Sequence, residues 1–187
     1  MHQHSRTVFV GSQAVATGTH EEVVATLRDL ESKGEARSVL VFDDVTGEQI
    51  DVDVRASRPA SAPEPAPESE PRRPGRPKLG VVAREVTLLP RHWEWLSAQP
   101  GGASVALRKL VETARRENAQ SDTTRRAQEG AVRFMTAMAG NEPGFEEACR
   151  ALFAGDRDTF RSQIARWPKD VADYSDRLAA EAFSVAE

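Results

Sequence analysis

The sequence predicts an α+β protein assembled from several parts, and three observations lead to this fold class. Near the N-terminus, apolar residues recur with the two-residue period of strands, interrupted by one helical stretch. A proline-rich run follows, and beyond residue 118 the apolar residues recur at helical spacing only. We therefore expect a small α+β domain (1–55), a linker (56–79), a strand-helix-helix segment (80–118) and a C-terminal all-α bundle (119–187).

The first domain is predicted to have ββαββ order. Thr19 opens the helix as its N-cap, and Glu22 follows at the spacing of a capping box. The apolar face of this helix comprises Val23, Val24, Leu27 and Leu30. Strands are predicted at 7–10, 14–16, 38–42 and 49–54. One helix is then sufficient to cover one face of a small sheet.

Acidic residues in this domain permit a second interpretation, a divalent-metal site in a small metal-dependent enzyme. They are Asp43, Asp44, Glu48, Asp51 and Asp53. Hairpin turns favour aspartate, and the last two alternate with apolar residues as solvent-facing strand positions do. The chain has no phosphate-binding glycine loop, zinc-protease motif, paired-cysteine motif or nucleophile elbow. The prediction is a non-enzymatic protein with no cofactor and no metal.

The linker carries seven of the 11 prolines between residues 59 and 77, which predicts a stiff, extended spacer. The parts that it joins therefore need not pack together. Its end, RRPGRPK at 72–78, resembles an AT-hook, although Pro74 interrupts the motif. The resemblance implies that Arg72, Arg73, Arg76 and Lys78 enter the minor groove of A·T tracts. Phosphate contact without base preference is the alternative.

Charge separates the centre of the chain from the rest. Residues 72–116 contain ten basic and three acidic residues, a balance of +7, whereas the whole chain is −4 and the remainder therefore −11. A basic segment within an acidic protein is typical of a module that binds nucleic acid.

A strand, a short helix, a glycine turn and a longer helix are predicted in that order within 80–118. Val86 and Leu88 alternate with polar residues, and Pro90 ends the strand. Trp93 and Leu96 mark the short helix, and Pro100-Gly101-Gly102 breaks it. The longer helix carries an apolar stripe of Leu107, Leu110, Val111 and Ala114 and ends in two arginines.

This order of elements resembles the ribbon-helix-helix DNA-binding family. The resemblance implies an intertwined homodimer whose two paired strands lie in the major groove. It implies DNA contacts from Arg84, Glu85, Thr87, Gly102 and Ser104, the last two at the start of the second helix beside a phosphate. It implies a dimer interface of Val86, Leu88, Leu107, Leu110 and Val111. The acidic Glu85 departs from the basic or amide residues usual on such ribbons.

The C-terminal part is predicted to contain helices at 127–138, 145–154 and 156–166 and a last helix capped by Asp170. Their methionine and aromatic residues indicate a bundle core, with Cys149 as a small core residue. This bundle is a candidate surface for a protein partner.

At full length the chain resembles an uncharacterised bacterial family, domain of unknown function twenty-two thirty-nine. The segments that carry the resemblance are GRPKLGVVAREVTLLPRHWEWL at 75–96, GGASVALRKLV at 101–111 and GNEPGFEEACRALFAGDRDTF at 140–160. No apolar run reaches the roughly 20 residues of a membrane span, and the N-terminus lacks a signal-peptide core, so we expect a cytoplasmic protein. The leading expectation is a dimeric DNA-binding transcriptional regulator; the alternative is a protein–protein interaction adaptor that does not bind DNA.

Overall fold

The computed structural model describes residues 5–35, 38–53, 82 and 84–184. Its contacts divide the chain into two units. The first unit combines Met1–Arg58 with Ala119–Glu187, and the second comprises Pro59–Asn118. The proline-rich linker, including Arg72, Arg73, Arg76 and Lys78, lies outside the described residues.

An antiparallel sheet forms from four strands in the order β2-β1-β3-β4, which confirms the ββαββ prediction. The strands are β1 (Arg6–Val10), β2 (Gln13–Gly18), β3 (Val39–Asp43) and β4 (Gln49–Ile50). Pairing of β1 with β2 shifts between Val8 and Phe9, so Val15 forms a bulge on the edge strand. β4 contains two residues rather than the six predicted.

Helix α1 (His20–Lys33) begins with the predicted capping box. The backbone N–H of Thr19 donates to Glu22 Oε2 at 2.7 Å, and that contact holds the pKa of the Glu22 carboxyl below its usual range. Gly34, at φ 74°, ends the helix in the left-handed region. The predicted apolar face is buried against one face of the sheet, on Val8 and Val41.

The second unit contains α2 (Pro90–Ser97) and α3 (Gly102–Glu117), which pack on each other and bury Leu96 and Ala106. Pro90 is the first residue of α2, a position that does not require its missing N–H. The sequence predicted a strand at residues 84–88. Within the described chain these residues form no strand. A strand needs hydrogen-bonding partners from a neighbouring strand, and the described part of this chain supplies none to this segment.

Four further helices follow in the first unit: α4 (Ala119–Ala139), α5 (Phe145–Ala154), α6 (Arg157–Ile164) and α7 (Lys169–Ala179), then a 3-10 turn at Ala180–Phe183. α5 has the predicted bounds, and α4 begins eight residues earlier than predicted. Pro168, not Asp170, is the N-cap of α7. The Asp170 carboxylate instead accepts a hydrogen bond from the Ala14 N–H of β2 at 3.0 Å.

One aromatic core joins the sheet to the C-terminal helices. Phe9 and Phe42, on the sheet face opposite α1, pack against Phe134 of α4 and Tyr174 of α7. Ring centroids lie 4.9 Å apart for Phe42 and Phe134 and 5.4 Å apart for Phe9 and Tyr174. The segments predicted as separate domains 1–55 and 119–187 thus share one hydrophobic core, because both faces of β1 and β3 are apolar and both require cover.

None of the described helices combines the length and apolar character that crossing a membrane requires.

Candidate functional site

The residues predicted to contact DNA in the run before α2 lie at the surface. Arg84, Glu85 and Thr87 are exposed. These residues do not form a helix, and no other described part of the chain covers their side chains. The run that precedes α2 is therefore accessible to a second molecule.

The glycine turn between α2 and α3 adds a basic group that the sequence pattern did not indicate. Gly101, at φ 86°, is the N-cap of α3, and Gly102 follows at φ 73°. Arg108 reaches back to the first turn, where its Nε donates to the Ser104 carbonyl at 3.1 Å and its Nη2 to Ser104 Oγ at 3.0 Å. A guanidinium is thus held against Ser104 in the first turn of α3.

The residues predicted to form a dimer interface remain largely uncovered. Val86 is 55% exposed, Leu110 49% and Val111 53%, whereas Leu88 and Leu107 are half-buried. Seven of the ten large apolar residues that are exposed in the described chain lie between 82 and 111: Val82, Val86, Leu89, Trp93, Trp95, Leu110 and Val111. Exposed apolar surface concentrated in one segment is typical of an intermolecular contact.

A second cluster, absent from the sequence-based predictions, surrounds Asp44 in the first unit. Its Oδ1 accepts hydrogen bonds from Thr7 Oγ1 at 2.7 Å and from the Tyr174 hydroxyl at 2.8 Å. Arg177 Nη2 lies 3.5 Å from the same oxygen and 3.2 Å from Thr7 Oγ1, and its guanidinium stacks 4.5 Å above the Tyr174 ring. Because these residues are up to 170 positions apart, no local motif could reveal them.

The Asp44 cluster favours a neutral tyrosine. Burial of the Tyr174 phenol raises its pKa well above the ordinary value, and its hydrogen bond to the Asp44 carboxylate raises it further. The hydroxyls of Thr7 and Tyr174 both donate to Asp44, so the cluster connects β1, the turn after β3 and α7. It does not present an activated nucleophile.

The acidic residues considered as metal ligands do not converge. The Asp43 carboxylate accepts hydrogen bonds from the Val45 and Thr46 N–H groups, each at 2.9 Å, and Asp44 points toward Tyr174. In the ranges that the structure describes, no group of three or more His, Cys, Asp or Glu residues has metal-binding geometry. The metal-dependent alternative therefore has no ligand set there.

Cys149 packs half-buried against the aromatic core, as predicted for a small core residue. Burial raises the pKa of its thiol, which disfavours the nucleophilic thiolate.

An open cleft of about 370 Å³ lies in the first unit between the β3–β4 turn, α4 and the C-terminal end of α7. We call it the hairpin cleft. Its lining includes Val45, Thr46, Arg126, Ala127, Arg177 and Leu178, together with the acids Asp44, Glu129 and Glu181. The turn is fixed against α4, because Arg133 Nη1 donates to the Thr46 carbonyl at 3.0 Å.

Comparison with known proteins assigns a family. The model of a family described as an uncharacterized protein conserved in bacteria (DUF2239) matches residues 5–179, which confirms the resemblance drawn from three segments of the sequence. No curated protein and no solved structure matches the chain.

Proposed function

The chain belongs to this uncharacterized bacterial family, and we propose that it is a non-enzymatic, cytoplasmic DNA-binding regulator that acts as a homodimer through residues 72–116. The observation that carries the proposal is the coincidence, in one segment, of uncovered apolar residues and excess positive charge. A small dimeric DNA-binding module has two requirements. A second copy must cover its apolar residues, and the same segment must contact phosphates.

Dimerisation accounts for the exposed apolar residues. Leu110 and Val111 lie three and four residues, about one helical turn, beyond Leu107, so they extend the α3 stripe past the part that α2 covers. Val86 lies in the accessible run before α2 and is equally uncovered. Pairing of residues 84–88 with the same run of a second chain supplies the missing strand hydrogen bonds and covers this stripe. The proposed ribbon-helix-helix-like arrangement meets both needs at once.

DNA binding accounts for the charge. Arg84 and Thr87 are exposed in the run that becomes the ribbon, and the Arg108 guanidinium is held against Ser104 in the first turn of α3. The basic arm at 72–78 adds phosphate or minor-groove contacts. In this arrangement Thr87 reads a base edge and the arginines position the protein on the backbone.

The direct test is an electrophoretic titration of the full chain against mixed duplex DNA. We expect binding whose affinity falls with salt at a log-log slope of roughly −4 to −5, as for about four to six neutralised phosphates. Arg76→Ala weakens binding to all sequences, whereas Thr87→Ala changes the preference among them. Arg150→Ala, which removes an exposed arginine from α5, is the matched control and leaves binding unchanged. Absence of a retarded species at low salt contradicts the proposal.

The dimer is tested separately by sedimentation equilibrium. Leu110→Asp places a charge in the proposed interface and is expected to give a monomer that no longer binds DNA. Phe153→Asp is the control, because Phe153 is 60% exposed in the first unit and lies outside the interface. If both variants sediment as the parent chain does, residues 84–111 are not the interface.

An adaptor function is the second candidate, and Trp95 favours it. This side chain is 53% exposed, and tryptophan is enriched among residues that dominate protein–protein binding energies. An adaptor dimerises or docks through the same segment but gives no retarded DNA species at low salt.

A further inference from the structure

We propose that the hairpin cleft binds a small organic anion, whose carboxylate or phosphate is held by Arg126 and Arg177 while its apolar body rests on Val45, Ala127 and Leu178. All the lining residues belong to the first unit, and the inference does not depend on the function proposed for the central segment.

The two arginines are oriented and retain free donors. Arg126 Nε donates to the Asp122 carbonyl at 3.1 Å and its Nη2 to Thr123 Oγ1 at 3.2 Å, so the plane of its guanidinium is set. Arg177 is held by its stacking on Tyr174 and by its Nη2 contacts with the Asp44 cluster. Nη1 of Arg126, and Nε and Nη1 of Arg177, have no hydrogen-bond partner among the described residues. Guanidinium groups with unused N–H donors suit a planar or tetrahedral oxyanion.

The charged side chains that line the cleft differ in how many partners they already have. Asp44 already accepts hydrogen bonds from Thr7 and Tyr174 and pairs with Nη2 of Arg177 at 3.5 Å, and Glu129 forms an ion pair with Arg133 at 3.4 Å. Arg126 forms no ion pair within the described ranges. Glu181 is the remaining acid on the lining, and it favours a ligand of single negative charge, or one with a hydrogen-bond donor of its own.

The apolar part of the cleft explains an exposed valine in a turn. Val45 is 61% exposed although it lies in a tight hairpin, whereas Ala127 and Leu178 behind it are buried. The wall that carries Val45 packs closely against α4, because a Cβ atom added at Gly47 would meet the Gly130 carbonyl oxygen at 2.0 Å. A preformed cleft of about 370 Å³ lies in the size range of small-molecule sites.

The test uses the amide ¹H–¹⁵N spectrum of the full chain, titrated with benzoate, phenyl phosphate, neutral benzamide, acetate and inorganic phosphate. We expect benzoate or phenyl phosphate to shift the amides of Val45, Ala127 and Leu178 with a dissociation constant on the order of 1 mM. Whichever of the two binds more tightly identifies the anion as carboxylate or phosphate. Benzamide lacks the charge, and acetate and inorganic phosphate lack the apolar body, so all three are expected to give markedly weaker shifts.

Two variants separate the contributions. Arg126→Gln is expected to weaken benzoate or phenyl phosphate binding about tenfold, because it removes a charged hydrogen bond at an exposed position that the fold does not require. Val45→Ser is expected to weaken it by about threefold. Arg150→Gln is the control and leaves the affinity unchanged. The proposal is overturned if these amides do not shift, if benzamide or the small anions match the aromatic anions, or if Arg126→Gln binds as the parent does.

Discussion

The hydroxyl of Tyr174 in α7 donates to Oδ1 of Asp44, at the turn that follows β3, over 2.8 Å and across 130 positions of sequence. This contact joins the two parts of the first unit that the central segment separates in the chain. Thr7 and Arg177 share the same carboxylate, so the junction is a network rather than a single bond. The aromatic core lies directly behind it, since the Tyr174 ring also packs on Phe9 and Phe134.

Removal of the Tyr174 hydroxyl tests the contribution of this junction to stability. Tyr174→Phe retains the ring and loses one donor to a carboxylate, and we expect the free energy of unfolding to fall by about 1–3 kcal/mol. Urea denaturation followed by circular dichroism measures this change. Tyr174→Leu, which also loses the aromatic packing, should cost more. Equal stability of the Phe variant and the parent would show that the Tyr174–Asp44 hydrogen bond makes no net contribution.

Alkaline titration tests the environment of the same phenol. Tyr174 is the sole tyrosine of the chain, so the phenolate absorbance that develops near 295 nm belongs to this residue. Because the folded pKa is raised above the unfolded one, its contribution to stability is complete below the unfolded pKa of about 10 and is lost as pH rises beyond it. We expect no phenolate near pH 10 in the native chain and ionisation only with alkaline unfolding. The urea-unfolded chain, titrating near 10, is the reference; a native transition at that pH contradicts the expectation.

Gly47 should tolerate no side chain. It adopts φ 62°, and a Cβ there would meet the Gly130 carbonyl oxygen at 2.0 Å, so Gly47→Ala combines backbone strain with a collision between the β3–β4 turn and α4. We expect a loss of about 3 kcal/mol or more in thermal or urea unfolding. Gly11→Ala is the matched control, because φ there is 58° but nothing lies within 4 Å of the added atom. It should cost only about 1–2 kcal/mol, and equal losses at the two positions would refute the collision.

The shared core predicts how truncation affects folding. A chain that ends at Asn118 loses Phe134 and Tyr174, which leaves Phe9 and Phe42 without cover on one sheet face. We expect its sheet amides to lose protection from hydrogen exchange.

The complementary variant replaces residues 59–118 with about 20 glycine and serine residues, which span about 25 Å on average. It should unfold in one cooperative transition, because every member of the aromatic core is retained. Protected sheet amides in the truncated chain would mean that residues 5–53 fold without the C-terminal helices.

Local sequence patterns were sufficient to predict the elements that interactions between neighbouring residues determine. The capping box of Thr19 and Glu22, the glycine break before α3 and the bounds of α5 depend on neighbours within a few residues, and each is present in the structure. The apolar face of α1 follows from helical spacing alone. The accessible residues 84–88 form no strand in the described chain, because a strand depends on a partner that sequence period does not provide.

The packing of segments that are distant in sequence could be recognised only in the tertiary structure. Phe9 and Phe42 alternate with Val8 and Val41 in β1 and β3, so both faces of these strands are apolar, yet nothing in the runs identified the C-terminal helices as the cover of the second face. The proline-rich linker suggested that residues 1–55 and 119–187 are separate domains, whereas the burial of aromatic side chains joins them in one core. Asp44 illustrates the same point: its residue type suited a turn or a metal, and the fold placed a tyrosine, a threonine and an arginine around it. Short-range sterics and hydrogen bonds set the elements of this chain, and burial of surfaces distant in sequence set their arrangement.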